Sequence, residues 1–301
     1  MLPRRPGLSC ADALSCNNRR CEIEVSSLSR SFGNTVAVDD ISFNVGRGEL
    51  FAFLGPNGAG KTTTINMLIG LLIPDSGEVR YHGQQFDPKQ LAVKRLIGVV
   101  PQHNNLDREL TAAENLLIHG RLFGMSGKQL HQRIDTCLAF ADLTAKRDTP
   151  TAKLSGGMKR KLVIARALLH QPEILFLDEP TVGLDPHSRR KMWAFLRRIN
   201  KEQKCTVFLT THYIEEAEAL ADRVLIIDQA RVIAEGSPQQ LKQSAGNVVL
   251  DIYRDDDICN EFFADRPAAL QRLEQLDTSV RIRETTLEDV FLQLTGKRLE
   301  P

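Results

Sequence analysis

The feature that most constrains this chain is a glycine-rich loop between an apolar segment and a helix-forming segment. Residues 50–54 are apolar and predict a buried parallel strand, and residues 62–69 predict a helix that ends at Gly70. The loop between them has the sequence Gly55, Pro56, Asn57, Gly58, Ala59, Gly60, Lys61, Thr62, Thr63. Strand, loop and helix follow one another in the order that a phosphate-binding loop requires.

This loop has the chemistry of a triphosphate site, so ATP and Mg²⁺ are the expected ligands. Its glycines let backbone N–H groups turn toward an anion, and the helix N-terminus adds a partial positive charge of roughly half a unit. We expect Lys61 to bridge the outer phosphates, Thr62 to ligate Mg²⁺ and Thr63 to contact an inner phosphate. The competing interpretation is an ordinary glycine-rich turn, which the full spacing and the Lys-Thr pair disfavour.

Composition limits the class of protein. The 301 residues are 42% hydrophobic and 26% charged, which favours a folded globular chain. The net charge of +1 gives no electrostatic footprint for nucleic acid, and no apolar run approaches the ~18 residues that span a bilayer. The six cysteines include no C-x-x-C pair, which fits a reducing cytosol, and Cys205 is expected to be a small core residue.

Short strands are predicted ahead of the loop. Residues 22–25 and 41–45 alternate apolar and polar side chains, which indicates half-exposed antiparallel strands with a turn at 33–34. Phe32 lies at this turn. It is either a core residue or an aromatic ring that stacks on a nucleotide base.

After the loop the pattern changes from strand to helix. A strand predicted at 99–100 leaves Gln102 at its C-terminal end. Residues 112–118 and 128–141 then place apolar side chains at helical spacing, with Thr111 as the N-cap of the first helix. These segments predict a helical insertion.

A second helix N-terminus that is suited to binding an anion follows the insertion. Ser155, Gly156 and Gly157 precede a helix predicted at 159–170. A serine and two glycines at such a position form a helix cap in many proteins, so these residues alone do not define a site.

Two adjacent carboxylates, Asp178 and Glu179, end the apolar strand that begins at residue 174. Because neighbouring positions on a strand point to opposite faces, the two are expected to have different roles. We expect Asp178 to hold Mg²⁺ and Glu179 to orient and deprotonate a water; the alternative is a solvated acidic strand end. His212 follows the strand predicted at 206–210, where a nucleotide contact competes with a surface or core role.

Together these motifs resemble the ATP-binding cassette (ABC) family of transport ATPases, over residues 21–238. Residues 154–158 resemble the family signature, the discriminating motif, and residues 55–63 resemble its Walker A loop. The resemblance implies that two cassettes pair head to tail, so that ATP on the loop of one faces Ser155, Gly156 and Gly157 of the other. The partner cassette is expected to be a second copy or a homologue.

The resemblance also assigns roles to single residues. Asp178 and Glu179 match the Walker B aspartate and the catalytic glutamate. Gln102 matches the Q-loop glutamine, a catalytic residue and Mg²⁺ ligand, and His212 matches the catalytic switch histidine.

Two further matches concern contacts with the nucleotide. The sequence also departs from the family pattern at two positions. Asp185 matches the D-loop aspartate and Phe32 the aromatic residue that stacks on adenine. Phe32 replaces the commoner Tyr, which should preserve stacking, and Met158 replaces the Gln that usually ends the signature.

The chain is also similar to the daunorubicin-resistance-like export subfamily, at Met158 and in residues 159–162 and 286–296. That subfamily implies a drug, lipid or polysaccharide exporter whose transmembrane permease subunits are separate chains. Gln102 and the helical insertion would couple to them. We therefore expect a cytoplasmic protein held peripherally on the inner face of the cell membrane.

The predicted fold is α/β: a P-loop NTPase core with an antiparallel β subdomain and a helical subdomain, plus a small C-terminal α+β accessory domain. The predicted boundaries are 1–20 for a flexible basic tail, 21–238 for the cassette, about 103–153 for the helical subdomain and 239–301 for the accessory domain. In the last, strands at 247–253 and 279–283 are expected around a helix at 267–276.

Soluble ABC ATPases are the alternative. A repair-associated type would need a long coiled-coil insertion, for which residues 103–153 are too few. A translation-associated type normally carries two cassettes in one chain, whereas this chain has one set of motifs. A binding module without activity would be expected to lack Lys61 or Glu179, and both are present.

Overall fold

The computed structural model describes residues 21–254 and 257–296, so the basic tail predicted for 1–20 lies outside the described residues. The described residues divide into two units, the first formed by residues 21–49 and 62–208 and the second by residues 50–61, 209–254 and 257–296.

The strands are β1 (Cys21–Phe32), β2 (Thr35–Gly46), β3 (Leu50–Leu54), β4 (Ser76–Tyr81), β5 (Gln84–Gln85), β6 (Ile97–Val100), β7 (Ile174–Asp178), β8 (Thr206–Thr211), β9 (Arg223–Asp228), β10 (Arg231–Gly236), β11 (Val248–Arg254), β12 (Asp257–Phe263) and β13 (Val280–Glu284). The α-helices are α1 (Lys61–Leu68), α2 (Leu91–Leu96), α3 (Ala112–Leu122), α4 (Gly127–Phe140), α5 (Gly156–Ala167), α6 (Pro186–Gln203), α7 (Ile214–Leu220), α8 (Pro238–Ala245), α9 (Arg266–Leu273) and α10 (Leu287–Thr295). Over the described ranges, none of these helices has the length and apolar character needed to cross a bilayer.

The first unit contains the predicted antiparallel sheet. Its strand order is β2-β1-β4-β5, and Phe32 pairs with Thr35 across the turn that contains Gly33. Gly33 has a φ of 57°, a left-handed conformation that glycine adopts without steric cost. The hairpin predicted from alternating side chains is confirmed, although both strands are longer than the predicted segments.

The first unit also contains a parallel pair and the predicted helices. Strands β6 and β7 run parallel, with Val100 opposite Leu177, and every residue of β7 is buried. Helix α3 begins as predicted, because the Thr111 side chain and Glu114 form a reciprocal capping box. Helix α4 also confirms the predicted helical insertion.

In the second unit, β3 pairs in parallel with β9, and all five residues of β3 are buried. The buried parallel strand ahead of the glycine loop is therefore confirmed. Strand β10 pairs antiparallel with β9 and was not predicted, because its residues are only partly buried and carry no clear alternation.

The C-terminal sheet of the second unit has the order β12-β11-β13, with antiparallel pairing throughout. Leu250, Ile252 and Ala269 form its core, so α9 packs on one face of the sheet. The two predicted strands and the helix are present, but α9 ends at Leu273, earlier than expected. Strand β12 was missed.

Candidate active site

The loop after β3 turns sharply and closely against its neighbours, which explains its glycines. The Gly55 amide donates to the Thr211 carbonyl at 3.2 Å. A Cβ at Gly55 would lie 2.3 Å from the Ile227 carbonyl oxygen, so no larger residue fits. Gly58 and Gly60 have φ values of 81° and 106°, which side chains other than glycine rarely adopt. The conformation of the loop therefore depends on glycine at these three positions.

Lys61 stands at the end of this loop and the start of α1. Its side chain is buried, and its Nζ donates to the carbonyl oxygens of Gly55 and Pro56 at 2.9 and 3.0 Å. The ammonium is thus held against the loop backbone. A desolvated cation in this place is suited to bind a phosphate oxygen.

In the first unit, Thr62 and Asp178 lie together although they are far apart in sequence. The Thr62 hydroxyl is 3.1 and 3.4 Å from the two carboxylate oxygens of Asp178, which is buried at the end of β7. A hydroxyl and a carboxylate are hard oxygen ligands of the kind that Mg²⁺ prefers. These two side chains therefore fit the metal that the sequence predicts.

Glu179 is buried and faces Gln102. The Gln102 Nε2 donates to Glu179 Oε2 at 2.9 Å. The strand ends at Asp178, and Glu179 follows it with a left-handed φ of 46°. We predicted different roles for Asp178 and Glu179 from the alternation of side chains along a strand, and that reason is wrong. The left-handed backbone at Glu179, and not strand alternation, sets the direction of its side chain.

Sequence reasoning missed Arg160, which ties the two carboxylates to the Gln102 segment. This buried guanidinium, on α5, donates to five backbone carbonyls, those of Pro101, Gln102, Asp178, Glu179 and Pro180, at 2.5–3.3 Å. The sequence signal that would have identified Arg160 is its helical spacing from apolar residues. Arg160 shares one helical face with Val163, Ile164 and Ala167, where a charged residue is unexpected unless it is paired.

The predicted signature residues lie at the start of α5. Ser155 is its N-cap, and its hydroxyl accepts from the Met158 amide at 3.3 Å. A Cβ at Gly156 would meet no described atom within 4 Å, and one at Gly157 would meet only Ser188, at 3.8 Å. Packing within the described chain therefore does not require glycine at either position.

Asp185 and Phe32, two further candidates, are on the surface of the first unit. Asp185 is the N-cap of α6 and accepts from the Ser188 amide at 3.0 Å; its hydrogen bonds with Ser188 lower the pKa of its carboxyl. Phe32 is 49% exposed, and the guanidinium of Arg30 lies 5.1 Å from its ring centroid. The exposure excludes the core interpretation of Phe32.

His212 belongs to the second unit and directly follows β8. It is half-buried, and its ring centroid lies 4.1 Å from that of Tyr213. Within the first unit the structure brings together Thr62 with Asp178 and Gln102 with Glu179. Within the second unit it brings Lys61 together with Gly55 and Pro56.

Known proteins share this sequence and fold. The family model described as ABC transporter matches residues 38–182. The Nod factor export ATP-binding protein I of Mesorhizobium japonicum is 42% identical over 301 residues, which cover 92% of this chain and 88% of that protein. The protein of the same name from Paraburkholderia xenovorans is 42% identical, with 92% of this chain and 98% of that protein covered.

Two solved structures have a fold similar to that of this chain. The cbiO1 protein of Clostridium perfringens, part of the ABC transporter complex cbiONQ, has a TM-score of 0.70 and 29% identity, over 74% of this chain and 90% of that one. The ATP-binding cassette MJ0796, a dimer in a post-hydrolysis state with ADP and Pi, has a TM-score of 0.63 and 30% identity, over 71% and 98%.

The chain therefore belongs to the ATP-binding subunits of ABC transporters. It is an ATPase with the α/β fold of that family, as the sequence predicted. The relatives do not favour the alternative of a soluble, translation- or repair-associated ATPase. The subfamily label stays a prediction.

Proposed function

We propose that this ATPase energises export through separate transmembrane permease subunits. Relatives 42% identical to it carry export in their names, and the neighbour cbiO1 is part of the ABC transporter complex cbiONQ. The C-terminal segment 286–296, which resembles an export subfamily, agrees with this direction. In this role the chain lies on the inner face of the cell membrane, bound to the permease subunits.

The observation that carries the proposal is the group of side chains around Asp178 and Glu179. The Thr62 hydroxyl contacts Asp178, and Gln102 holds Glu179 through one hydrogen bond. Thr62 and Asp178, with Gln102 as a further ligand, would hold Mg²⁺, which when bound would supply positive charge to neutralise the phosphates. Glu179 then has the role of accepting a proton from the attacking water.

The remaining residues bind and position the nucleotide. Lys61 is assigned to the outer phosphates, the loop amides and Thr63 to the inner ones, and Phe32 to the adenine ring, for which its exposed face is suited. His212 is assigned a contact with the terminal phosphate.

Two cassettes act together in this proposal. Ser155, Gly156 and Gly157 of one copy contact the nucleotide on the other, and Asp185 lies at the same interface. The open space around a Cβ at Gly156 supports this assignment, because a nucleotide and a second subunit would supply the crowding that the described chain lacks.

Co-expression with the membrane proteins encoded beside its gene tests the export role. A tag on this chain should retain a multi-helix membrane protein, and the reconstituted complex should hydrolyse ATP faster than the isolated chain. A chain that purifies alone, with a rate that no neighbouring membrane protein changes, would contradict the role in transport and leave the ATPase assignment standing.

A further inference from the structure

Three potential metal ligands converge in the first unit, away from Asp178 and Glu179. Glu22 on β1, His82 after β4 and Glu173 just before β7 each offer one ligand atom, and these atoms all lie within 4.8 Å of one another. Glu173 and Asp178 flank β7 at opposite ends. At ~3.3 Å per residue, the two are roughly 16 Å apart along the strand, so the cluster is separate from the predicted Mg²⁺ ligands.

The backbone around the three residues is held firmly by the sheets. The His82 amide donates to the Glu22 carbonyl at 3.1 Å. The Glu173 amide donates to Leu96 at 2.9 Å, and the Glu173 carbonyl accepts from the Thr206 amide at 2.9 Å. The ligands are therefore preorganised by three segments that are distant in sequence, a condition for tight metal binding.

Glu22 carries the features of a buried metal ligand. Its residue is only 1% exposed, and the Thr206 hydroxyl donates to Glu22 Oε2. Such a hydrogen bond fixes a ligating carboxylate in metal sites. Burial also leaves the negative charge of this carboxylate poorly solvated. A bound cation would compensate this charge.

The charges and the access route also fit a cation. His82 Nε2 lies 3.7 Å from Glu173 Oε2, and Arg47, the nearby cation, is 3.9 Å from the same oxygen and mostly exposed. Glu22 and His82 also line a cavity of about 450 Å³, together with Glu24 and Arg47. Two of the three ligands thus face a cavity, and the side chain of the third, Glu173, is partly exposed to solvent.

We propose that Glu22, His82 and Glu173 bind one divalent first-row transition metal ion, with Zn²⁺ the best match. One imidazole nitrogen and two carboxylate oxygens leave a position for water in a tetrahedral site. The imidazole separates this site from Mg²⁺, which takes oxygen ligands. The ion links β1, the turn after β4 and the start of β7, and so stabilises the sheets independently of ATP.

Zinc binding to the full chain without nucleotide tests the proposal. Metal-stripped protein is dialysed to equilibrium against buffered Zn²⁺, and wild type is compared with His82→Asn and Glu173→Gln. Asn tolerates the left-handed φ of 51° at residue 82, and Glu173 lies at the surface, so both variants should fold, as far-UV circular dichroism will verify. His131→Asn is the matched control for His82→Asn: it replaces a histidine at an exposed helix position and leaves the cysteines, which also bind Zn²⁺, unchanged.

We expect wild type and His131→Asn to bind one more Zn²⁺ than the two ligand variants, or to bind it at least ~10–100-fold more tightly. Zn²⁺ should raise the thermal midpoint of wild type and of His131→Asn, and leave those of the ligand variants nearly unchanged. Equal Zn²⁺ binding by all four proteins, or none by wild type, would overturn the proposal. ATP hydrolysis is not the readout, so failure here leaves the ATPase assignment unaffected.

Discussion

Replacing Arg160 by Met should both destabilise the fold and slow ATP hydrolysis. The guanidinium is buried and donates to five carbonyl oxygens of two segments, 101–102 and 178–180. These segments carry Gln102, Asp178 and Glu179. Met has a similar length but no donor, so the carbonyls would lose their partner while the packing volume stays nearly the same.

The size of the effect follows from the hydrogen bonds that are lost. A buried polar group left without its partner costs about 1–3 kcal/mol. Because losses in one network are not additive, we expect about 3–5 kcal/mol in the free energy of unfolding. A displacement of ~1 Å in a positioned group can lower turnover about 10²-fold, so kcat should fall by about 10–100-fold. KM for ATP should change little, since the five carbonyls that accept from Arg160 belong to segments 101–102 and 178–180 and not to the loop that is assigned to the phosphates.

Urea unfolding and steady-state Mg²⁺-ATP hydrolysis measure these two effects. Lys159→Met is the matched control, because Lys159 precedes Arg160 on α5 and its Nζ donates to the Ala152 carbonyl in an exposed hydrogen bond. Arg160→Lys should recover part of the stability, since its ammonium has fewer donors for the same carbonyls. If Arg160→Met stays within about 0.5 kcal/mol and twofold of the Lys159→Met control, the positioning role is refuted.

Three further predictions concern single side chains. Glu179→Gln should keep ATP binding and lose turnover by about 10²–10⁴-fold, and a rate within about threefold of wild type would contradict its role as base. Lys61→Ala should weaken binding of a fluorescent ATP analogue and abolish hydrolysis together; unchanged affinity with unchanged turnover would refute the phosphate contact. Burial, with help from Arg166 and His170, lowers the pKa of His119 from 6.5 to about 4. The unfolded chain therefore binds more protons than the folded chain between these pH values, so the stability of the fold should decrease as the pH drops through this window. His119→Gln should reduce the slope of the urea unfolding midpoint against pH. Equal slopes for wild type and His119→Gln would contradict this prediction.

The sequence was informative where neighbouring residues determine the structure. The strand, loop and helix around Lys61 follow from an apolar run, glycines and a Lys-Thr pair within residues 50–69. Thr111 and Glu114 likewise define the start of α3 by a contact between residues three positions apart. The contact between Thr62 and Asp178 was expected only through the motif pattern, since nothing local in either segment specifies it.

Features that depend on distant contacts or on uncommon backbone conformations were not predictable. Arg160 contacts Pro101, which precedes it by 59 residues, and Pro180, which follows it by 20. The left-handed backbone at Glu179 is uncommon for any residue other than glycine, so strand alternation was the natural but wrong assumption. The cluster of Glu22, His82 and Glu173 also assembles only in the folded sheets.

The most direct test of the central claim, that two copies share each ATP site, is to mix two inactive variants. Lys61→Ala removes the phosphate contact, and Ser155→Arg blocks the helix start that faces the partner's nucleotide. A heterodimer of the two has one site with both faults and one intact site, so about half of the wild-type ATPase activity per dimer should return if one site suffices. No rescue, together with a wild-type rate per mole that stays constant on dilution to nanomolar protein, would contradict the shared site.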